Sequence, residues 1–184
     1  MTYIVGINKP SVGLLTIIAD VMVTMRYPTG NLVRKTNALK TGCLFEGCVY
    51  GLAGDANAGL GFLRDFKAQI EIRGEIAGNV AKLDAFVSHG TWAAGNGFKI
   101  LLGIRSPDPC LYLLDSDLRT LVPLCDEIYT IGSGKALLDP LVFDEFKNAS
   151  RLIENHMAAN GIPRGYYPYL TCQWLSELTL GLAE

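Results

Sequence analysis

The sequence predicts an α+β fold, a four-layer αββα sandwich in which two antiparallel sheets stack face to face and helices cover both outer sides. Two observations lead to this prediction. Strand-like and helix-like segments come in blocks, with strands, two helices, strands and two helices in that order, rather than alternating as in a parallel sheet. Short turns rich in Pro, Gly, Asn and Asp join the strands, which favours antiparallel neighbours. No internal repeat interrupts the 184 residues, so residues 1–184 are expected to form a single domain.

The first block predicts short strands joined by tight turns. Two apolar stretches flank the turn Asn8-Lys9-Pro10-Ser11 and are expected to form a hairpin that Asp20 closes. A connection rich in Thr, Pro and Gly leads to a third strand, and a second hairpin turns at Glu46-Gly47. These strands are expected at residues 2–7, 12–20, 32–39, 43–45 and 48–50.

Helical periodicity begins after Gly51-Leu52-Ala53-Gly54. Apolar residues then recur at helical spacing, which predicts a helix over residues 60–70 with Asp55 or Asn57 as its N-cap, and a second helix over residues 79–92. Short apolar runs separated by acidic and proline-containing turns follow and predict an antiparallel meander. Its strands are expected at residues 98–104, 110–114, 121–124 and 128–131, and two closing helices at residues 137–157 and 169–183.

Composition excludes several kinds of partner. Hydrophobic residues make up 49% of the chain and charged residues only 18%, so further copies of the chain are expected to cover some of its surface. The formal net charge of −2 provides no basic field for nucleic acid or for an anionic membrane surface. No apolar run is long enough to span a bilayer, and the first residues lack a secretory signal pattern. We therefore expect a cytoplasmic homo-oligomer that binds neither nucleic acid nor membrane.

Cysteine and histidine offer little material for metal binding or for histidine-based catalysis. The cysteines are odd in number, lie among apolar neighbours and lack paired metal-ligand spacing, so they are expected to be reduced core thiols. The two histidines are far apart in sequence and are expected at helix surfaces. These residues are Cys43, Cys48, Cys110, Cys125, Cys172, His89 and His156. Neither a metal nor a cofactor is predicted.

Thr2 is the residue with the clearest chemical potential. It lies one step behind Met1, at the edge of the first strand-like run. If Met1 is removed, Thr2 carries both a hydroxyl nucleophile and an α-amine, whose pKa of about 7.7 to 8.0 lets it accept the hydroxyl proton near neutral pH. The alternative is a strand that simply starts with threonine, which is a common residue there.

Several fragments then occur in an ordered series. They are an early threonine, Asp20 at the end of the second strand, Gly51-Leu52-Ala53-Gly54 before a helix, and Ile131-Gly132-Ser133-Gly134 before another. With the strand-like segments 98–103 and 109–115 between them, they resemble the proteasome β-subunit superfamily of N-terminal nucleophile hydrolases. The resemblance covers about residues 2–138. It is closest to bacterial relatives, among them the heat-shock peptidase that partners an unfoldase ring.

The resemblance implies a role for each matching residue. Thr2 is expected to be the nucleophile, Asp20 the acid that keeps a nearby lysine charged, and Ser133 the hydroxyl that relays a proton to the terminal amine. Gly54 is expected to donate its backbone N–H to the oxyanion, and Thr24 to hydrogen-bond the substrate backbone. Each residue also has an ordinary structural explanation, as a surface carboxylate, a helix cap or a turn glycine.

The resemblance leaves two candidates for the catalytic lysine. Lys35 keeps the family's usual interval from Asp20, whereas Lys40 better keeps the interval to Ala53-Gly54. An offset of five would place the two lysines on opposite faces of a strand. We prefer Lys35 and keep Lys40 as the alternative. In either case an ammonium beside the hydroxyl stabilises the developing alkoxide.

The resemblance implies a threonine peptidase that acts within a self-assembled ring or stacked ring on peptides or unfolded proteins. A separate ATP-dependent unfoldase would have to supply any energy coupling, since the chain has no phosphate-binding Gly-Lys-Ser/Thr loop. Two alternatives stay open. One is an inactive structural or assembly protein in which Met1 is retained, and the other is a small-molecule amidase. Family members end with two further strands, so part of one sheet is expected to be missing here.

Overall fold

The computed structural model describes residues 2–10, 14–20, 23–26, 32–35, 40–70, 75–92, 97–105 and 108–163. Within these ranges the chain forms two compact units. The larger contains the residues up to Asn8 and those from Leu15 to Lys135. The smaller contains Lys9 to Leu14 and the residues from Ala136 onward.

The described elements are ten strands and three helices. The strands are β1 Ile4–Lys9, β2 Leu14–Ala19, β3 Val23–Arg26, β4 Leu32–Lys35, β5 Thr41–Phe45, β6 Cys48–Gly54, β7 Phe98–Ile104, β8 Cys110–Asp115, β9 Thr120–Leu124 and β10 Ile128–Ile131. The helices are α1 Ala56–Gln69, α2 Ile76–His89 and α3 Lys135–Asn160. Both predicted central helices and the expected strands of the second block are therefore present.

A five-stranded antiparallel sheet in the order β5-β6-β7-β8-β9 forms the centre of the larger unit. Its middle strand, β7, is buried along nearly its whole length, because both faces of the sheet are covered. Helices α1 and α2 cover one face with an aromatic cluster that joins them to β7. The cluster contains Phe62, Phe66, Phe86, Trp92 and Phe98. Of the two expected N-caps for α1, Asp55 serves, since its carboxylate accepts from the backbone N–H of Asn57 and Ala58.

A second antiparallel sheet, in the order β10-β1-β2, covers the opposite face. Ile4 of β1 and Ile131 of β10 pack against Leu101 of β7 in a small apolar core between the two sheets. The sheets approach closely at Gly6, where a Cβ would lie 2.6 Å from a methyl group of Leu101. Thus the predicted stacking of two antiparallel sheets is present, and helices lie on the outer side of the larger sheet.

The predicted meander is wrong at its last strand. β7, β8 and β9 pair in succession, but β10 pairs with β1, with Ile4 opposite Ile131. After the short turn that follows β9, strand β10 joins the other sheet, where Ile131 is buried in the core between the sheets and Tyr129 packs against that core. The first block also contains an additional hairpin, formed by β3 and β4. The expected third strand corresponds to β4. β3 was missed although Val23-Thr24-Met25-Arg26 alternates apolar and polar residues, because four residues are the shortest run in which alternation indicates a strand.

The smaller unit is organised around α3, which matches the helix expected over residues 137–157. Lys9, which is buried, forms an ion pair with Glu154 of α3, with 2.6 Å between Nζ and Oε1. The helix expected over residues 169–183, and with it the expected lack of the family's last strands, lies outside the described residues. None of the helices in the described ranges is long and apolar enough to cross a membrane.

The expected core placement of the cysteines is wrong for most of those described. Only Cys48 is buried, whereas Cys43 and Cys125 are exposed and Cys110 is half-buried. The exposed cysteines lie on or beside β5 and β9, the edge strands, which other strands do not cover on both sides. Cys172 lies outside the described residues. His89 and His156 are exposed on helices, as predicted.

Candidate functional site

A cleft of about 680 Å³ opens in the larger unit beside Thr2. Its walls come from Thr2, the end of β6, the start of α1, the start of β7, strand β10 and the turn that precedes α3. The side chains and main-chain groups that bear on chemistry are those of Thr2, Lys40, Gly54, Lys99, Asp117, Ser133 and Lys135. Within the described residues, no group of three or more His, Cys, Asp or Glu side chains is arranged to hold a metal ion.

Thr2 is held by its main chain against the turn before α3. The carbonyl oxygen of Thr2 accepts a hydrogen bond of 2.9 Å from the backbone N–H of Gly134. Gly132 has a φ of 109°, a conformation that favours glycine, and a Cβ there would collide with the same carbonyl oxygen. A glycine at position 132 therefore allows the turn to approach the threonine closely.

Ser133 is in contact with the nitrogen of Thr2. The Thr2 N–H donates to Ser133 Oγ over 3.0 Å, across 131 residues of sequence. In the sequence as written this nitrogen belongs to the amide after Met1, and removal of Met1 would make it an amine. A hydroxyl at this distance can both accept a proton from that amine and donate one to it.

Lys40 and Asp20 form an ion pair beside the Thr2 hydroxyl. Lys40 Nζ lies 2.7 Å from Asp20 Oδ2 and donates to Thr2 Oγ1 over 3.4 Å. The lysine is only 8% exposed, so its ammonium needs a carboxylate partner to offset the loss of hydration. Asp20 is itself fixed by Tyr3, whose backbone N–H donates to Oδ1 over 2.7 Å, while the Asp20 N–H donates to the Tyr3 carbonyl.

The lysine that the structure places beside Thr2 is Lys40, the alternative rather than the preferred candidate. Lys35 ends β4 opposite Val23, and its side chain is not among those described. The number of residues between Lys40 and Gly54 was the better guide to the lysine beside Thr2, because the β5–β6 hairpin lies between them and sets their spacing. The Lys40 carbonyl accepts from Leu52 N–H of β6, two residues before Gly54. The interval from Asp20, by contrast, includes the β3–β4 hairpin, whose length can vary without moving the site.

Gly54 and Thr24 lie on different strands. Gly54 ends β6 opposite Phe98 and lines the cleft. Its backbone φ of 94° is one that residues with a side chain rarely adopt. A Cβ there would also collide with the Gly97 carbonyl oxygen. Thr24 lies on β3 opposite Arg34, and only its backbone placement is described.

A second ion pair at the cleft was not predicted from the sequence. Lys99 of β7 and Asp115 of β8 are cross-strand partners, with 2.7 Å between Nζ and Oδ2. The hydrogen bond to Asp115 raises the pKa of Lys99. Burial raises the pKa of Asp115, but the hydrogen bonds from Lys99 and the Leu118 N–H outweigh it and leave that pKa below its ordinary value. The available signal was one lysine near the start of a predicted strand and one aspartate at the end of the next, since residues at these positions of an antiparallel pair lie opposite each other.

No protein-family model matches the chain, and no curated protein sequence matches it significantly. Solved structures do match. The Gly-1 mutant of Anbu from Hyphomicrobium sp. strain MC1 matches with a TM-score of 0.53 and 16% identity, over 76% of this chain and 64% of that chain. The eukaryotic HslV from Trypanosoma brucei matches with a TM-score of 0.50 and 16% identity, over 82% of this chain and 78% of that chain.

The chain has the N-terminal nucleophile hydrolase fold. The fold class expected from the sequence, and the resemblance behind it, are thereby confirmed at the level of the fold. The chain spans less than two thirds of the length of the Anbu protein that it matches. At 16% identity the two likenesses concern the fold alone.

Proposed function

We propose that the chain is an N-terminal threonine hydrolase of peptide bonds, with Thr2 as the nucleophile. The observation that supports it most is that Ser133 and Lys40 both contact Thr2, and that Lys40 is in turn paired with Asp20. Ser133 Oγ lies 3.0 Å from Thr2 N, and Lys40 Nζ lies 3.4 Å from Thr2 Oγ1 and 2.7 Å from Asp20. These partners are far apart in sequence, so no local structural role such as helix capping accounts for all of them together.

The mechanism begins with proton transfer within Thr2. The free α-amine takes the hydroxyl proton, and Oγ1 attacks the carbonyl carbon of the peptide. The Lys40 ammonium stabilises the negative charge on Oγ1 before the attack, while Asp20 keeps that lysine protonated. Negative charge then moves to the carbonyl oxygen, towards which the Gly54 N–H is the proposed donor.

The second half of the cycle releases both products. The amine of the leaving peptide takes the proton held by the Thr2 ammonium, with Ser133 as the relay, and the C–N bond breaks to leave an ester on Oγ1. Water, deprotonated by the same α-amine, attacks the ester. Oγ1 recovers a proton, the acid product leaves and the enzyme returns to its starting state. No metal or cofactor takes part in the proposed cycle.

This mechanism requires Thr2 to be the first residue of the active protein. An amide nitrogen after Met1 has no lone pair available as a base, so a chain that retains Met1 cannot run the cycle. The inactive assembly protein is the outcome if Met1 is retained.

The proposal extends to substrate and assembly. We propose peptides or unfolded polypeptides as substrates and a cytoplasmic homo-oligomer, a ring or stacked ring, as the working form. A separate ATP-dependent unfoldase would feed it. The fold shared with proteasome-related proteins and the low content of charged residues support the assembly. Native mass spectrometry would test it, and a monomer at micromolar concentration would contradict it.

A small-molecule amidase uses the same chemistry and differs only in substrate. The cleft volume of about 680 Å³ supports this second candidate, because it falls within the range of about 300 to 1,000 Å³ that is typical of sites for a single small ligand. A panel of extended peptides and small amides separates the candidates through their relative kcat/KM.

The direct test combines the mass of the N-terminus with covalent labelling. We expect the native protein to begin at Thr2 and to be acylated there by a β-lactone, an electrophile that N-terminal threonine attacks. Thr2→Ala should lose labelling and hydrolysis while remaining folded, and the matched variant Thr2→Ser should keep both in part because it retains the hydroxyl and the amine. A protein that retains Met1, or a folded Thr2→Ala variant with undiminished hydrolysis, would overturn the proposal.

A further inference from the structure

Two cysteines that the proposed hydrolase chemistry does not use, Cys110 and Cys125, lie one position beyond the last registered pair of strands β8 and β9. The β8–β9 register pairs Leu111 with Leu124 and continues in antiparallel order. The next pair in that register is Cys110, the first residue of β8, and Cys125, the residue after β9. Directly opposite residues of an antiparallel pair point to the same face of the sheet.

We propose that Cys110 and Cys125 are a thiol pair that forms a cross-strand disulfide by exchange with a low-molecular-weight disulfide such as glutathione disulfide. Opposite residues in antiparallel strands have Cα atoms about 4.5 to 5.5 Å apart. That spacing lies within the range of about 4.4 to 6.8 Å that disulfides bridge, so no strand has to move far.

Contacts of the Cys110 side chain support the pairing. Its Sγ lies 3.9 Å from the carbonyl oxygen of Leu124, the group that leads directly into Cys125. The thiol also donates to the carbonyl oxygen of Leu111 on its own strand over 3.2 Å, so it lies within reach of both strands at this end of the hairpin. The proximity of Cys125 also contributes, after burial, to a raised pKa of Cys110.

The difference in exposure assigns an order to the exchange. Cys125 is exposed and Cys110 is half-buried with a raised pKa, so Cys125 is the thiol that meets the oxidant first. Its thiolate attacks one sulfur of glutathione disulfide and releases one glutathione. Cys110, on losing its proton, then attacks Sγ of Cys125 and releases the second glutathione. Two protein thiols are oxidised to one disulfide, and one glutathione disulfide is reduced to two glutathione thiols, which take up the two protons.

The bond would close the hairpin that forms one side of the cleft. Residues between the two cysteines include Leu113, which lines the cleft from β8, and Asp117, which follows the strand. A covalent clamp at the open end of this hairpin removes freedom from the unfolded chain and holds the sheet edge together.

The other neighbouring cysteines provide an internal control. In the β5–β6 hairpin Cys43 lies opposite Val49, while Cys48 lies opposite Phe45. Since Cys48 and Val49 are consecutive on one strand, the side chains of Cys43 and Cys48 point to opposite faces of the sheet. Cys43 is exposed, whereas Cys48 is buried and burial raises its pKa to about 12. This pair should not form a disulfide in the folded protein.

Peptide mapping tests the proposal on the folded, full-length chain. The protein is equilibrated with graded ratios of oxidised to reduced glutathione, free thiols are blocked with N-ethylmaleimide, and the chain is digested with trypsin without reduction. Arg105, Arg119 and Lys135 bound two separate tryptic peptides, residues 106–119 with Cys110 and residues 120–135 with Cys125. We expect a cross-linked species of these two peptides to become the main product at oxidising ratios. The peptide of residues 41–64, which contains Cys43 and Cys48, should not lose two hydrogens.

A second measurement uses stability. Oxidation should raise Tm by about 5 °C through closure of the loop, and Cys110→Ser and Cys125→Ser should each abolish the rise. Reduced Cys110→Ser and Cys125→Ser should melt close to the reduced native protein, which shows that they fold. The proposal is overturned if glutathione remains attached to Cys125 without transfer to Cys110. It is also overturned if the cross-link forms only in denaturant, or if the 41–64 peptide is oxidised as readily.

Discussion

Replacement of Lys40 by alanine tests the site most directly, because it removes an ammonium that contacts the Thr2 hydroxyl. Lys40 Nζ lies 3.4 Å from Oγ1, and a full pair of unit charges at that distance interacts by about 5 kcal/mol at an effective dielectric constant of about 20. This value is an upper bound, since the oxygen carries only part of a charge in the transition state. Loss of one preorganised donor typically costs about 10²- to 10³-fold in rate.

We therefore expect Lys40→Ala to lower kcat/KM for a fluorogenic peptide by about 10³-fold. Asp20 would lose its ion-pair partner but keep the hydrogen bond from the Tyr3 N–H. Because the Asp20 side chain is 30% exposed, we expect a stability loss of about 1 to 3 kcal/mol, below that of a fully buried pair. Thermal unfolding separates this effect from loss of catalysis.

Lys35→Ala is the matched control, since it removes the lysine at the end of β4. We expect it to change kcat/KM by less than about threefold, because Lys40 makes the contact with Thr2 Oγ1 on which the assignment rests. The assay is single-turnover hydrolysis at a concentration of sites measured by β-lactone labelling. A folded Lys40→Ala variant that keeps more than a tenth of native kcat/KM would refute the assignment of Lys40, as would an equal loss in Lys35→Ala.

Three further predictions concern the same region. Ser133→Ala should lower kcat by about 10- to 100-fold and alter the limb of the pH–rate profile that reports the terminal amine, and an unchanged profile would exclude Ser133 from proton relay. Gly132→Ala should lower Tm and reduce labelling of Thr2, because the added Cβ collides with the Thr2 carbonyl oxygen. Full labelling of a variant with unchanged Tm would contradict this. Lys99→Met should destabilise the protein by a constant amount at intermediate pH. Asp115 has a lowered pKa, so its contribution is present above the ordinary carboxyl value of 3.8 and is lost as pH falls through the folded-state value. Lys99 has a raised pKa, so its contribution is present below 10.5 and is lost as pH rises through the folded-state value. Urea unfolding from acid to alkaline pH checks this, and a difference between native and variant protein that does not shrink at either extreme would count against the pair.

Local patterns were enough to predict most of the elements. The helices α1 and α2 followed from apolar spacing and from Asp55 as a capping residue, and these features act within a few residues of sequence. β7 and β8 followed from apolar runs bounded by turns. Strand partners are different, because pairing depends on contacts between distant segments. The pairing of β10 with β1 was therefore missed, although the strand itself was located correctly.

The same distinction between local patterns and distant contacts applies to the candidate site. The chemical identities of Thr2 and Ser133, and the glycines around the latter, could be read from short motifs. The choice between Lys35 and Lys40 could not, because two sequence intervals disagreed and only one of them ran along a continuous hairpin. The Lys99–Asp115 pair was missed because it depends on the register between two strands, which the sequence does not show directly.

Sequence patterns alone located most of the described helices and strands, with β3 as an exception, and pointed to Thr2 as a residue that could act as a nucleophile without histidine. Periodicity and side-chain chemistry are properties of short segments, so they can be recognised without knowing which distant segments pack together. The contacts of Lys40 with Asp20 and Thr2, and of Thr2 with Ser133, depended on the three-dimensional packing. They join residues separated by 20, 38 and 131 positions, and their geometry comes from packing two sheets against each other.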